Sequence, residues 1–375
     1  MDDDVAWRRA RRILCVRLDG AGDVLMTTPA MRALRISGDG PRDLTLLASP
    51  AGANLLPLLP DVGEVVAYEA PWMKGPANAD AVRDRRTIST IRDRGFDAAV
   101  IFTVCSQNPL PAAMLCHLAE IPLRLAHCRE NPYGLLTRWI RDAEGERARR
   151  HEVRRQLDLV STIGARPDRE SLSVHIPGRA RDEAAGELAG IGVARPLHDR
   201  WIAVHAGASA PSRRYPEEGF AAVGDALAEA DHRIVFTGSA AERDLIESIR
   251  SRMRRPSSSL AGRLSLEGLA AVVSLAPLVI ANNTAPAHLA AAVGTPVVDL
   301  YALTNLQHTP WMVPSRVLSH DVPCKGCLAS VCPLGHHDCL RLVHPSAVVD
   351  AANDLLDTSG SRGGDRRRRP NRVVA

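Results

Sequence analysis

Three observations predict an α/β protein of two doubly wound domains. Seven short runs, RILCVRL, DLTLLAS, FDAAVIFT, WIAVHAG, RIVFTG, PLVIAN and TPVVDLY, are continuously apolar, as strands covered on both faces are. Ala- and Leu-rich stretches of helical period lie between them, such as Glu217 to Ala228 and Glu242 to Ile249, and this alternation builds parallel sheets flanked by helices. The series then restarts: the charged segment Arg179 to Arg200 carries Gly186, Gly190, Gly192 and Pro196, and WIAVHAG opens a second strand, loop and helix series after it. A hinge is expected near Leu197, giving domains 1–195 and 196–357 with a cleft between them, and a disordered basic tail, 358–375, too poor in apolar residues to fold.

Composition agrees with this plan. A chain of 375 residues is too long for one ordinary core. Its 45% apolar and 24% charged residues are those of a soluble globular protein, and with only 3% aromatics the cores must rest on Ala, Val, Leu and Ile. A formal charge of +4, most of it in short runs at the two ends, is too slight to imply a nucleic-acid partner and allows at most peripheral contact with an anionic membrane. The start, MDDDVAWRRARR, is neither a signal peptide nor a membrane span, and a cytoplasmic location with reduced cysteines is expected.

The first strand runs into ILCVRLDGAGDVLMTTPA, which is close to a nucleotide-binding turn. A dinucleotide fingerprint needs a third glycine, and the position three beyond Gly22 is Leu25. A carboxylate at Asp23 would also repel a pyrophosphate from the helix start. Two roles stay open for Asp19 and Asp23: one of them caps the helix, or a carboxylate faces the cleft as a general base, kept ionised by the helix N-terminus.

The phosphate cradle is then expected in the second half, where LVIANNTAPAHLAAAVGTPVVDLY gives a strand, possible caps at Asn282, Asn283 and Thr284, Pro286 in the first turn, and closure at Gly294. Thr284 and His288 stand four apart on one helical face and either donate to a diphosphate or belong to an ordinary helix with a half-buried histidine. In the loop HAGASAPSRRYPEE, Arg213 or Arg214 neutralises a phosphate or is merely solvated. Glu242 accepts from ribose hydroxyls or complements a helix dipole. Sites in such sheets form at the carboxyl ends of strands, so the loops after Leu18, Val204, Phe236 and Ile280 are the ones expected to face the cleft.

These segments resemble glycosyltransferase family 9, the heptosyltransferase family. The motifs are VRLDGAGDVLMTTPAMRALR, HAGASAPSRRYPEEGFAAV, FTGSAAERDL and LAGRLSLEGLAAVVSLAPLVIANNTAPAHLAAAVGTPVV, in family order from Ile13 to about Leu356. The resemblance implies a GT-B fold, with an acceptor (a saccharide or small molecule) held by the first domain and an ADP-sugar, most simply ADP-heptose, by the second. It implies inversion at the anomeric carbon, no catalytic metal, Asp23 of the Gly22-Asp23 pair as base, Arg213 on donor phosphate, Glu242 on ribose, and Thr284 with His288 on diphosphate and sugar. Two departures stand out: the family's Asn-Asp-Thr-Gly is Asn282-Asn283-Thr284-Ala285 here, which removes an acid and adds a methyl, and its Lys is Arg213.

CKGCLASVCPLGHHDC remains. Cys324, Cys327, Cys332 and Cys339, with His336, His337 and His344 nearby, could hold a structural Zn²⁺, form disulfides or stay free; the spacing matches neither the usual zinc patterns nor the ferredoxin run.

Overall fold

The computed structural model describes residues 3–74, 79–142, 150–305, 307–360 and 372–373. The chain divides into two compact units, Met1–His175 and Ile176–Ala375. In the first, β1 (Arg12–Arg17), β2 (Asp43–Ala48), β3 (Glu64–Ala67), β4 (Ala98–Ile101), β5 (Leu123–Cys128) and β6 (Arg138–Arg141) form a sheet in the order β3-β2-β1-β4-β5-β6. In the second, β7 (Trp201–His205), β8 (Arg233–Thr237), β9 (Ser258–Ser259), β10 (Val279–Asn282), β11 (Val297–Leu300), β12 (Ser315–Leu318) and β13 (Arg372–Val373) follow the order β13-β12-β11-β10-β7-β8-β9.

Every pairing is parallel, and all seven apolar runs supply strands. Val16 lies opposite both Leu47 and Ile101, and Ile280 opposite both Val204 and Val298. These side chains belong to the two cores, filled as expected by aliphatic residues with few aromatics.

The division falls before the charged segment rather than within it, which corrects the expected boundary at 195. The helix Gly178–Gly190, assigned above to the first half, buries Ala180, Ala184 and Leu188 and packs on the helix Leu266–Leu275 of the second unit. Three small or apolar residues spaced four apart suffice for that seam, and the charged residues around them disguise it. Of the tail expected at 358–375, residues 358–360 complete the helix Pro345–Gly360 and 372–373 pair with β12; the remainder lies outside the described residues. Among the described residues no helix is long and apolar enough to cross a membrane, and no disulfide joins the eight cysteines.

Candidate active site

In each sheet the strand order reverses beside one central strand, between β1 and β4 and between β7 and β10. Ligands of open α/β sheets bind outside the carboxyl ends of strands at such reversals. Asp19 and Asp23 follow β1, Arg213 follows β7, and Asn283 and Thr284 follow β10, all strands at the reversal of their own unit, whereas Glu242 follows β8.

The helix Ala21–Ile36 begins at an N-cap glycine, Gly20, with extended dihedrals and no side-chain cap bond. Neither Asp19 nor Asp23 therefore caps it, and that alternative is set aside. Both are held instead by Arg17, the last residue of β1, which is completely buried. Its Nε lies 3.0 Å from Asp19 Oδ2, its Nη2 3.2 Å from Asp23 Oδ1 and its Nη1 2.8 Å from Glu152 Oε1. Gln107 donates to the other oxygen of Asp19. The Asp23 side chain keeps 22% of its surface exposed while that of Glu152 keeps none, so Asp23 offers the accessible carboxylate and Glu152 the buried anchor. Burial, reinforced by the negative charges of Asp23 and Glu152 and opposed by Arg17 and Gln107, pushes the Asp19 carboxyl up to about 6. Burial works against the Arg17 charge, but Asp19, Glu152 and Asp23 outweigh it and hold the guanidinium protonated.

In the second unit Asn282 joins two loops, accepting from the Tyr215 amide at 3.0 Å and donating to the Ala206 carbonyl at 2.7 Å. The segment between them contains the short helical turn Pro211–Arg213. Arg213, half-buried, acts on the buried carboxyl of Asp299, whereas exposed Arg214 donates through Nε to the Ala208 carbonyl at 2.9 Å. Thr284 is the N-cap residue of the helix Ala285–Val293, yet its hydroxyl donates to the Asn282 carbonyl at 3.2 Å and no side chain caps the first turn. The caps expected at Asn282, Asn283 and Thr284 are thus not made. Ala285 opens the helix, His288 is buried within it, and Gly294 ends it with φ +82°, where glycine carries no steric penalty.

Asn283 gives its amide to Asp299 Oδ2 at 3.1 Å and to the His308 carbonyl at 3.0 Å. Sequence reasoning passed over Asp299, just as it passed over the anchoring role of Arg17 and Glu152. Glu242 completes a capping box: its Oε2 accepts from the Ser239 amide at 2.7 Å and hydroxyl at 2.9 Å. The same carboxylate lies over Gly207 so closely that a Cβ there would collide with Oε1. Burial would raise the Glu242 carboxyl, but Ser239, His205 and Arg214 prevail and hold it below its ordinary value.

Cys324, Cys327 and Cys332 lie in a loop laced onto this unit, and Cys339 in the short helix Asp338–Arg341 that follows it. Gly326 donates to the Leu303 carbonyl at 2.6 Å, Leu328 to that of Thr304 at 2.8 Å, and Ser212, next to Arg213, donates its hydroxyl to Ala329 at 2.8 Å and its amide to Ser330 at 3.1 Å. Cys324 Sγ stands 3.6 Å from His336 Nε2. Among the described residues no three His, Cys, Asp or Glu side chains form a group that could hold a metal, so of the alternatives open for Cys324, Cys327, Cys332 and Cys339 a structural zinc is not borne out, and all four are free thiols. The other three thiols lie near enough to Cys339 to act on it, and with burial they push its thiol above the ordinary value.

Two Rossmann-like units, each a parallel sheet with one strand-order reversal, are those of the GT-B fold. The chain belongs to glycosyltransferase family 9 (heptosyltransferase), whose profile matches residues 85–337. Lipopolysaccharide heptosyltransferase 2 of Salmonella typhimurium is 25% identical over 369 residues, 93% of this chain and 99% of that protein. Lipooligosaccharide heptosyltransferase 2 of Campylobacter jejuni is 27% identical over 164 residues, 42% of this chain and 51% of that protein. The solved ADP-heptose lipopolysaccharide heptosyltransferase II of Escherichia coli superposes with a TM-score of 0.72 at 20% identity, covering 93% of this chain and 99% of that one.

Proposed function

We propose that the protein transfers a sugar from a nucleotide-sugar, ADP-heptose in the first instance, to a hydroxyl of a saccharide or natural-product intermediate, with inversion and without a catalytic metal or other cofactor. Asp23 takes the proton of the acceptor hydroxyl as its oxygen attacks the anomeric carbon. The carbon–oxygen bond to the diphosphate breaks and ADP departs with the electron pair. Arg213 and the amides at Thr284 and Ala285 meet the charge growing on the diphosphate, with His288 beside them, while Glu242 accepts from the ribose and Arg214 supports Glu242. The observation that carries this reading is the grip of buried Arg17 on Asp23, which leaves a partly exposed carboxylate at the end of β1.

A second donor is favoured by one observation. Asn283 spends its amide on Asp299 and His308 where the family has an acid, so the sugar contacts differ and another nucleotide-sugar fits the same phosphate site. Thermal-shift titration with ADP-, GDP- and UDP-sugars, followed by release of the corresponding nucleoside diphosphate in the presence of acceptor, tests both readings. Binding of a nucleotide-sugar without release under any acceptor would instead describe a binding protein. A structural zinc on the four cysteines would require their side chains to converge, and metal analysis of the purified protein measures it. The reaction is placed in the cytoplasm, with no nucleic-acid partner and at most peripheral membrane contact.

A further inference from the structure

We infer that Ser239, together with Gly207 and Gly238, makes the donor site selective for the vicinal diol of a ribonucleoside diphosphate by fixing which oxygen of Glu242 meets it. All three are positioning residues, and the inference rests on the reading of Glu242 as the ribose acceptor.

The strands beneath set the geometry. β7 and β8 are parallel neighbours, and His205 lies opposite Thr237 at their carboxyl ends. Gly207 and Ser239 come two residues beyond each, so the two loops leave the sheet together. Glu242 ends the short helical turn Ala240–Glu242 in the second loop, and its carboxylate reaches across to lie over Gly207 in the first.

The two oxygens of that carboxylate are not equivalent. Oε2 accepts from the Ser239 amide at 2.7 Å and from the Ser239 hydroxyl at 2.9 Å, and His205 Nε2 stands 3.9 Å from it. The His205 ring is itself held through Nδ1 against the Thr237 hydroxyl at 3.1 Å. Among the described contacts no hydrogen bond reaches Oε1, and the Glu242 side chain keeps 25% of its surface exposed. Oε1 is therefore the oxygen left to accept from a ligand.

Glycine supplies the room. A Cβ on Gly207 would collide with Oε1, and one on Gly238 would press on Ile246 and lie 3.4 Å from both Oε2 and the Glu242 Cβ. Neither glycine has a positive φ, so space and not backbone conformation requires them. Gly262, in the loop after β9, donates its amide to the Gly238 carbonyl at 2.9 Å and extends this floor without side chains, on which a ligand can approach the main chain closely.

A ribose matches the arrangement through its two adjacent hydroxyls, which give their protons to the open carboxylate oxygen. A nucleotide without the diol covers Oε1 and leaves it unpaired, so the penalty falls on that ligand. The Ser239 hydroxyl matters because the terminal torsion of a glutamate is broad: with the amide as the one remaining donor the carboxylate turns, and Oε1 leaves its place over Gly207. A helix cap with no further role behaves differently. Its loss weakens every nucleotide by the same factor.

The experiment is calorimetric titration of the full chain with ADP and with 2′,3′-dideoxy-ADP, for the wild type and the variants Ser239→Ala, Ser239→Thr, Gly207→Ala and Glu242→Ala, each checked for melting temperature. The wild type is expected to prefer ADP by about ten- to a hundredfold, the worth of hydrogen bonds to a charged group. The preference should shrink to within a few-fold in Ser239→Ala and Gly207→Ala, and persist in Ser239→Thr, which keeps the hydroxyl. A folded Ser239→Ala that keeps the wild-type ratio, whatever its absolute affinities, overturns the inference. Should Ser239→Ala not fold, Gly207→Ala decides it on the same ratio. Glu242→Ala separates the two levels: an undiminished ratio there defeats Glu242 as the ribose acceptor, whereas a ratio lost there and intact in Ser239→Ala defeats only the positioning role.

Discussion

Asn283 donates its side-chain amide to Asp299, 3.1 Å away and fully buried on β11. The acid missing from the loop after β10 thus has a counterpart on the neighbouring strand. Burial pushes the Asp299 carboxyl up to about 7, against the pull of Asn283 and Arg213. A carboxyl raised in the folded state binds its proton more tightly there than in the unfolded chain. Its contribution to stability is therefore fully present below the ordinary aspartate range and is lost as pH rises toward 7. Melting temperature should fall across that window, and Asp299→Asn should flatten the fall, melting higher than the wild type at pH 8 by roughly 2–4 °C for each kcal/mol recovered. Scanning calorimetry at several pH values measures both curves; a variant that melts lower at pH 8 would mean the ionised acid is needed for packing.

Gly207 and Glu242 are matched by space. A methyl at Gly207 must displace the Glu242 carboxylate from the capping box it makes with Ser239. Gly207→Ala should cost about 1 kcal/mol of stability, the size of a lost cap, and weaken ADP binding. Adding Glu242→Ala removes the obstacle, so the double variant should lose less stability than the two single losses combined. Strict additivity in a thermal double-mutant cycle would show that the two positions do not meet.

Thiol reactivity should follow environment. Backbone amides, that of His337 foremost, hold the Cys332 thiol below its usual value, whereas burial pushes Cys15 and Cys116 up to about 12. Brief iodoacetamide treatment at neutral pH should label Cys332 first and leave Cys15 and Cys116 untouched in the native protein, as peptide mass spectrometry can read. Labelling of Cys15 before Cys332 would contradict the described packing of β1.

The sequence displayed the fold more fully than the site. Strands with unbroken apolar runs, such as β7 and β10, were legible because both faces are covered. β5 was not, because Arg124 and His127 interrupt it and are nonetheless buried; β6, reading RWIR with alternate exposure, lies at a sheet edge. In the site, Asp23, Arg213 and Thr284 could be picked from loops at strand ends. Arg17 and Asp299 could not, since a charge inside an apolar run reads locally as an interruption. Both are completely buried, and a buried charge in a central strand must have a partner, which is a signal available to sequence reading. Glu152 carried no such signal, because its partner stands 135 positions away in the chain.

The measurement closest to the central claim is the turnover of Asp23→Asn beside its affinity for ADP, with Arg213→Ala as the counterpart. Asp23→Asn should lose about two to four decades in kcat while binding ADP as the wild type does. Arg213→Ala should weaken ADP by roughly ten- to a hundredfold, the worth of a charge-assisted hydrogen bond. If Asp23→Asn turns over within a few-fold of the wild type, the carboxylate held by Arg17 is not the base.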